Sequence, residues 1–193
     1  SHASTSGFPS RATSACHGSA HRPGGAGDDF QTVGPGGKVV MTADALFKGL
    51  AAVLEARGRK STDRGEQIST LMKLYEGAQT PYQRIRVLLT LVAARFDYST
   101  LASTHMPIDM WKQARDELTT LIKLLLENLS YLVLEETDDY DDQVERKPNE
   151  NGEGEFVPVR GSVVSFIDRL EDEFTKSLQN TDPHATEYVE RLC

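Results

Sequence analysis

From Thr42 onward, apolar residues recur at helical spacing with polar residues between them. In "TADALFKGLAAVLEARG" Leu46, Leu50, Val53 and Leu54 fall on one face, Arg57 suits the negative end of a helix dipole, and Gly58 is a natural stop. In "STDRGEQISTLMKLYEGAQ" Asp63 and Glu66 are spaced as a capping box ahead of Ile68, Leu71, Leu74, Tyr75 and Ala78. "TPYQRIRVLLTLVAARFDYS" is the clearest element: Thr80 caps it, Pro81 takes the first helical position and Gln83 completes the box. Its apolar residues form two stripes, Ile85-Leu88-Leu89-Val92-Phe96 and Val87-Leu91-Ala94, which predicts a helix buried on more than one side. Pro107 opens the next helix, with Trp111, Ala114, Leu118, Leu121, Ile122, Leu125 and Leu129 at the same period.

The pattern then changes. "YLVL" and "FVPV" are short β-prone runs flanking "EETDDYDDQVERKPNENGEGE", and they can pair as a small antiparallel ribbon with Pro158 on an edge. The insert between them, residues 135–155, is charged and contains Gly and Pro, the composition of an acidic mobile loop. After Gly161, Val163, Ile167, Leu170, Phe174 and Leu178 predict one apolar helix face, with Arg169, Glu171, Asp172 and Glu173 on the exposed side. Asp182 and Pro183 start a last helix over 183–192, with Tyr188, Val189 and Leu192 as its apolar face and no stop signal before Cys193. Together with Ser rather than Met at position 1, this raises the expectation of a piece of a longer chain. The fold expected is all-α: irregular antiparallel helical hairpins with a small two-stranded ribbon and no fixed repeat period.

Composition narrows the function. Residues 1–37 are rich in Ser, Gly, Ala, His and Pro and read as a disordered tail, leaving 38–193 as the helical domain. With 21 Lys and Arg against 29 Asp and Glu, the 193-residue chain carries a net charge of −8, which argues against bulk phosphate neutralisation as its mode of binding. Cys16 and Cys193 lie at opposite ends, so a disulfide framework is not expected and a reducing, cytoplasmic setting is. No apolar run approaches the roughly 20 residues of a membrane span; the richest, "LIKLLLENLSYLVL", is broken by Lys123, Glu127 and Asn128.

Candidate chemistry is sparse. "VGPGGK" lacks the first Gly and the final Ser or Thr of a phosphate-binding loop, Thr32 and Val39 standing there instead. His2, Cys16, His17 and His21 lack the paired spacings of a zinc site. Asp139, Asp141 and Glu150 match some positions of a calcium loop, but Val144 replaces its turn Gly and Pro148 interrupts it. His105, His184 and Cys193 have no neighbours that would activate a nucleophile, and the carboxylates of "DRLEDEF" lack the burial that would tune a general acid. The chain is therefore read as non-enzymatic, with no cofactor and no small-molecule substrate. One cluster, Arg57, Arg59, Lys60 and Arg64 around Asp63, runs against the acidic balance. It reads either as a solvated turn after a helix C-terminus or as a basic knob contacting rRNA or an acidic partner surface.

Five segments, "FQTVGPGGKVV", "ARGRKSTDRGEQISTLMKL", "TPYQRIRVLLTLVAARFD", "MPIDMWKQARDEL" and "SVVSFIDRLEDEFTKSLQNTDPHATEYVERL", together resemble the C-subunit of eukaryotic translation initiation factor 3, over roughly residues 30–192. The resemblance implies a helical scaffold component of that complex, which binds the small ribosomal subunit and supports start-codon selection. Its implied partners are the other subunits of the factor, other initiation factors, and the protein and rRNA of the small ribosomal subunit. It also implies that the chain stops before the PCI module in which the family ends. Residues 1–29 depart from the acidic stretch the family carries there. A helical adaptor of another assembly, such as a protease lid or signalosome, is the alternative.

Overall fold

The computed structural model describes residues 30–32, 39–57, 59, 62–102, 104–137, 143–148 and 156–192. Among them the order of elements is β1 (Phe30–Thr32), β2 (Val39–Met41), α1 (Ala43–Ala56), α2 (Arg64–Gly77), α3 (Pro81–Ala102), α4 (Ile108–Glu127), β3 (Tyr131–Leu134), β4 (Val157–Arg160), α5 (Val163–Gln179) and α6 (Thr186–Leu192). The all-α expectation holds, with the strands confined to two small ribbons.

Helix α3 is the hub. Its start is fixed as its sequence predicts: the Gln83 N–H donates to Thr80 Oγ1 at 3.3 Å, and Gln83 Oε1 accepts from the Gln79 and Thr80 N–H groups at 2.9 and 3.5 Å. The two apolar stripes are both covered, α2 and α4 packing on α3 while α1 leans on α2 and α3 together. Tyr82, Ile85, Val87, Leu88, Val92 and Phe96 are almost wholly buried, joined by Leu46, Phe47 and Leu50 from α1, Leu71 from α2, and Leu121 from α4. Each such side chain contributes roughly 1.5–3 kcal/mol by leaving water, which outweighs the weak helix preference of the β-branched residues in α3. Polar groups are buried in α3 as well. Arg95 reaches Glu117 of α4 through two bonds, Nε to Oε2 at 2.6 Å and Nη2 to Oε1 at 2.5 Å, and donates to Gln113 Oε1 at 2.6 Å.

Several expectations are corrected. Residues 30–32, assigned by composition to the tail, form β1 and pair antiparallel with β2; the remainder of that reading lies outside the described residues. The ribbon of β3 and β4 is parallel, with Tyr131 opposite Val157 and Leu134 opposite Arg160. The connection across residues 135–156 is long enough for the crossover a parallel pair requires, and it returns the chain to the start of β3 instead of reversing beside its end. In α1 the fourth buried position is Phe47, whereas Leu54 is 38% exposed. Helix α4 ends at Glu127, leaving Leu129 exposed beyond it.

The largest correction concerns α5. Its buried residues are Leu170, Glu173 and Ser177, with Phe166 packed against Phe96 at 6.0 Å between ring centroids, while Val164 and Ile167 face outward. The face is rotated because polar anchors select it. Glu173 Oε2 accepts from the buried Met106 N–H at 2.8 Å, and the Trp111 indole N–H donates to the Leu170 carbonyl at 2.9 Å. Asp182 likewise holds a turn, accepting from the His184 N–H at 2.9 Å, so α6 begins at Thr186 rather than Pro183. No helix among the described residues is long and apolar enough to cross a membrane.

Candidate functional site

The basic cluster is built by one short turn. Helix α1 ends when Arg57 becomes extended, its N–H bonding back to the Val53 and Leu54 carbonyls. Helix α2 starts where Asp63 Oδ1 accepts from the Gly65 and Glu66 N–H groups at 2.8 and 3.3 Å. This places Arg57 and Arg64 beside the same residue of α3. Arg57 Nε lies 2.6 Å from Asp97 Oδ2, and Arg64 Nη1 donates to the Asp97 carbonyl. Two of the four cations therefore tie the turn to α3. The Arg57–Asp97 pair is partly solvated, so it contributes little by charge alone, on the order of 0–1 kcal/mol. Arg59 is exposed, and its backbone bridges the turn between Ala56 and Thr62. Lys60 lies outside the described residues.

Sequence reading missed the cations that join this cluster from elsewhere. Arg169 of α5, expected on the solvent side, is half-buried, with its guanidinium 4.8 Å above the Phe96 ring and Nη2 donating to the Phe96 carbonyl at 3.5 Å. Arg57, Arg64 and Arg169 thus converge from three helices on Phe96 and Asp97. One turn and three turns earlier on the same side of α3 stand Ala93 and the buried Arg86. Arg160 at the end of β4 donates to the Thr137 hydroxyl and carbonyl at 3.2 and 3.5 Å. The available signal was Arg86 itself, a cation within the "RIRVLL" run of a helix expected to be buried on several sides.

A second polar cluster lies where the acidic insert meets the core. Glu145 Oε2 accepts from Gln83 Nε2 at 3.4 Å, and Glu145 Oε1 is buried without a hydrogen-bond partner among the described residues. Tyr131, whose ring lies 6.1 Å from that of Tyr82, has its phenol pKa raised above the usual 10.0 by burial, then by the Glu145 carboxylate and Tyr82. Residues 143–148 therefore bear on the core through at least one side chain, and Glu135 accepts from the Ser162 hydroxyl at 2.6 Å.

The other sequence candidates are distributed as follows. Glu173, expected exposed, is buried and bonded both to Met106 N–H and to Lys176 Nζ, a contact that fastens the α3–α4 connection to α5. His105 meets Thr104 across 3.2 Å, and His184 is exposed. His2, Cys16, His17, His21, Asp139, Asp141, Glu150 and Cys193 lie outside the described residues. Among the described residues no group of three His, Cys, Asp or Glu could hold a metal.

A family model described as the N-terminus of eukaryotic translation initiation factor 3 subunit 8 matches residues 32–193. The chain belongs to the C-subunit family of eukaryotic translation initiation factor 3. It is 60% identical over 169 residues to the C-subunit of Mycosarcoma maydis, covering 87% of this chain and 19% of the relative. The corresponding subunits of Pyricularia oryzae and Aspergillus terreus are 48% and 47% identical, each alignment covering 86% of this chain and 19% of the relative. The chain thus spans about a fifth of the length of these members of the family. The match to this family begins within β1 and includes every helix described above.

Proposed function

We propose that this chain is a non-enzymatic scaffold segment of the eukaryotic translation initiation factor 3 complex, supporting preinitiation assembly on the small ribosomal subunit and start-codon selection in the cytoplasm. The observation that carries the reading is the continuous family match over residues 32–193, with 60% identity to a relative bearing that subunit's name. The geometry supports it through the use made of polar groups. Arg95, Glu117, Glu173 and Trp111 all serve to lock helices against one another, as suits a rigid body that presents surfaces. The partners proposed are other subunits of the factor, other initiation factors, and the small ribosomal subunit. The basic cluster of Arg57, Arg59, Lys60 and Arg64 would contact rRNA or an acidic protein surface.

Co-sedimentation with purified small ribosomal subunits, in the presence of the remaining subunits of the factor and over a series of salt concentrations, tests this reading. The chain is expected in the ribosomal fraction, with Arg59→Glu and Lys60→Glu weakening the association and making its loss with salt shallower, because fewer phosphate contacts remain to be screened. Absence from both the ribosomal fraction and the assembled factor would overturn it.

A further inference from the structure

We propose that residues 143–148 of the acidic insert form a latch on the start of α3, with Glu145 as the positioning residue for the capping amide of Gln83. Gln83 is buried, and both ends of its side chain are in use. Its Oε1 accepts from the Gln79 and Thr80 N–H groups at 2.9 and 3.5 Å. Its Nε2 donates to Glu145 Oε2 at 3.4 Å, a partner 62 residues along the chain. A side-chain amide can turn either its oxygen or its nitrogen toward a given neighbour. An acceptor on the nitrogen side directs the oxygen at the two N–H groups where the helix opens. Without that acceptor a buried NH₂ group is left unsatisfied, and the capping orientation loses its advantage. The capping box of Thr80 and Gln83 is thus completed from outside the helix, by the insert.

Several parts of the fold meet at this point. Gln79 Nε2 donates to the Met41 carbonyl of β2 at 3.5 Å. The ring of Tyr82 lies between those of Phe47 in α1 and Tyr131 in β3, at 6.0 and 6.1 Å between centroids. Burial, and then the Glu145 carboxylate, raise the Tyr131 phenol pKa, so the same carboxylate also acts on β3. A change in the seating of Glu145 is therefore felt at the junction of α1, β2, α3 and β3.

The latch is balanced so that it can open. Within residues 143–148 no large apolar side chain is buried: Val144 is 53% exposed, Gln143 and Lys147 are exposed, and Glu145, Arg146 and Pro148 are half-buried. Gln143 and Arg146 have interactions of their own, so the segment is held mainly by polar side chains. Closure also leaves Glu145 Oε1 buried without a hydrogen-bond partner among the described residues. A hydrogen bond to a charged group and a buried oxygen left unsatisfied are of similar size and opposite sign. Closed and open arrangements therefore lie close in free energy, as in segments that open locally while the rest of a fold stays intact.

The inference stands independently of the scaffold reading. Its test follows two signals on the whole chain: amide exchange at Gln79 and Thr80 by NMR, and the rate of tryptic cleavage after Arg146, mapped by mass spectrometry. Glu145→Ala is expected to speed both by about tenfold, since it removes the acceptor of Gln83 Nε2. Glu145→Gln keeps an acceptor oxygen and should stay within about threefold of the unaltered chain in both. Gln83→Glu should split the signals. Its carboxylate still caps the Gln79 and Thr80 N–H groups but repels Glu145, so cleavage after Arg146 quickens while exchange at Gln79 and Thr80 stays slow. A residue that merely adds stability would move both signals together in every variant. Unchanged exchange at Gln79 and Thr80 in Glu145→Ala, equal losses in Glu145→Ala and Glu145→Gln, or a Gln83→Glu variant in which the two signals move together would overturn the proposal. If a thermal melt shows that Gln83→Glu does not fold, the two Glu145 variants decide alone.

Discussion

Helices α3 and α5 carry similar apolar periodicity yet meet opposite fates. α3 is enclosed on several sides and takes polar groups into the core with it: Gln83, Arg86, Arg95 and Ser99 are all buried. α5 lies at the margin and leaves apolar groups outside, with Val164 at 67% and Ile167 at 45% exposure, while Glu173 and Ser177 are buried. In α3, packing area decides orientation, and the arginines adapt by finding acceptors. In α5, where less area is at stake, a few directional bonds decide it: Glu173 to Met106 N–H, Trp111 to Leu170, and Arg169 to Phe96. A hydrophobic stripe is thus a strong guide in the middle of a helical stack and a weak one at its margin.

Core deletions should show this contrast most strongly. Arg95→Ala leaves Glu117 without its bidentate partner and should cost about 3–5 kcal/mol. Leu88→Ala, at a side chain 1% exposed, should cost about 2–5 kcal/mol. Val164→Ser on α5 should stay within about 0.5 kcal/mol despite removing an apolar side chain, because that side chain is 67% exposed. Urea melts measure all three, and a Val164→Ser cost equal to that of Leu88→Ala would erase the distinction between the helices.

Polar anchoring of α5 can be separated from its packing. Glu173→Ala strips the buried Met106 N–H of its acceptor and should cost about 1–3 kcal/mol, whereas Glu173→Gln keeps an acceptor oxygen and should recover part of that. Equal losses for the two variants would mean that charge, rather than the acceptor, holds the helix. Arg169→Ala should cost less, about 1 kcal/mol, because the stacking over Phe96 is partly solvated and its carbonyl bond is long. Arg169→Lys should fall between, since an ammonium keeps the charge but loses the planar contact.

What was legible in the sequence follows the same division. The start of α3, its enclosure on two sides and the all-helical class were readable because Thr80, Pro81, Gln83 and the double stripe all point the same way. The basic turn was readable as a cluster, but its tie to Asp97, 40 residues from Arg57, was not. The direction of the β3–β4 ribbon was hidden because short β-prone runs carry no signal for parallel or antiparallel pairing. The rotation of α5 was hidden because Glu173 becomes worth burying only once Met106 N–H lies opposite it.

The smallest expected effect concerns the margin of the core where the ribbon meets α3. The Tyr131 phenol has its pKa raised above 10.0, chiefly by burial and secondarily by the negative charge of Glu145. Folding therefore favours the protonated phenol. Above pH 10 the unfolded chain releases this proton more readily than the folded one, so the native state binds more protons and stability falls as pH rises. The contribution is fully present below the unfolded pKa and is lost as pH climbs through the folded one. Tyr131→Phe removes the titration and should flatten the alkaline limb of a stability profile measured by urea melts between neutral pH and about pH 11, just above the ordinary phenol range. The comparison is made as a slope because the substitution also shifts the baseline. Glu145→Gln should flatten the same limb less, since it withdraws the secondary cause and leaves the burial. If Tyr131→Phe left the alkaline slope unchanged, or if Glu145→Gln flattened it more, the ordering of burial over charge at this contact would be wrong, and the acidic insert would be acting on the core chiefly through its field.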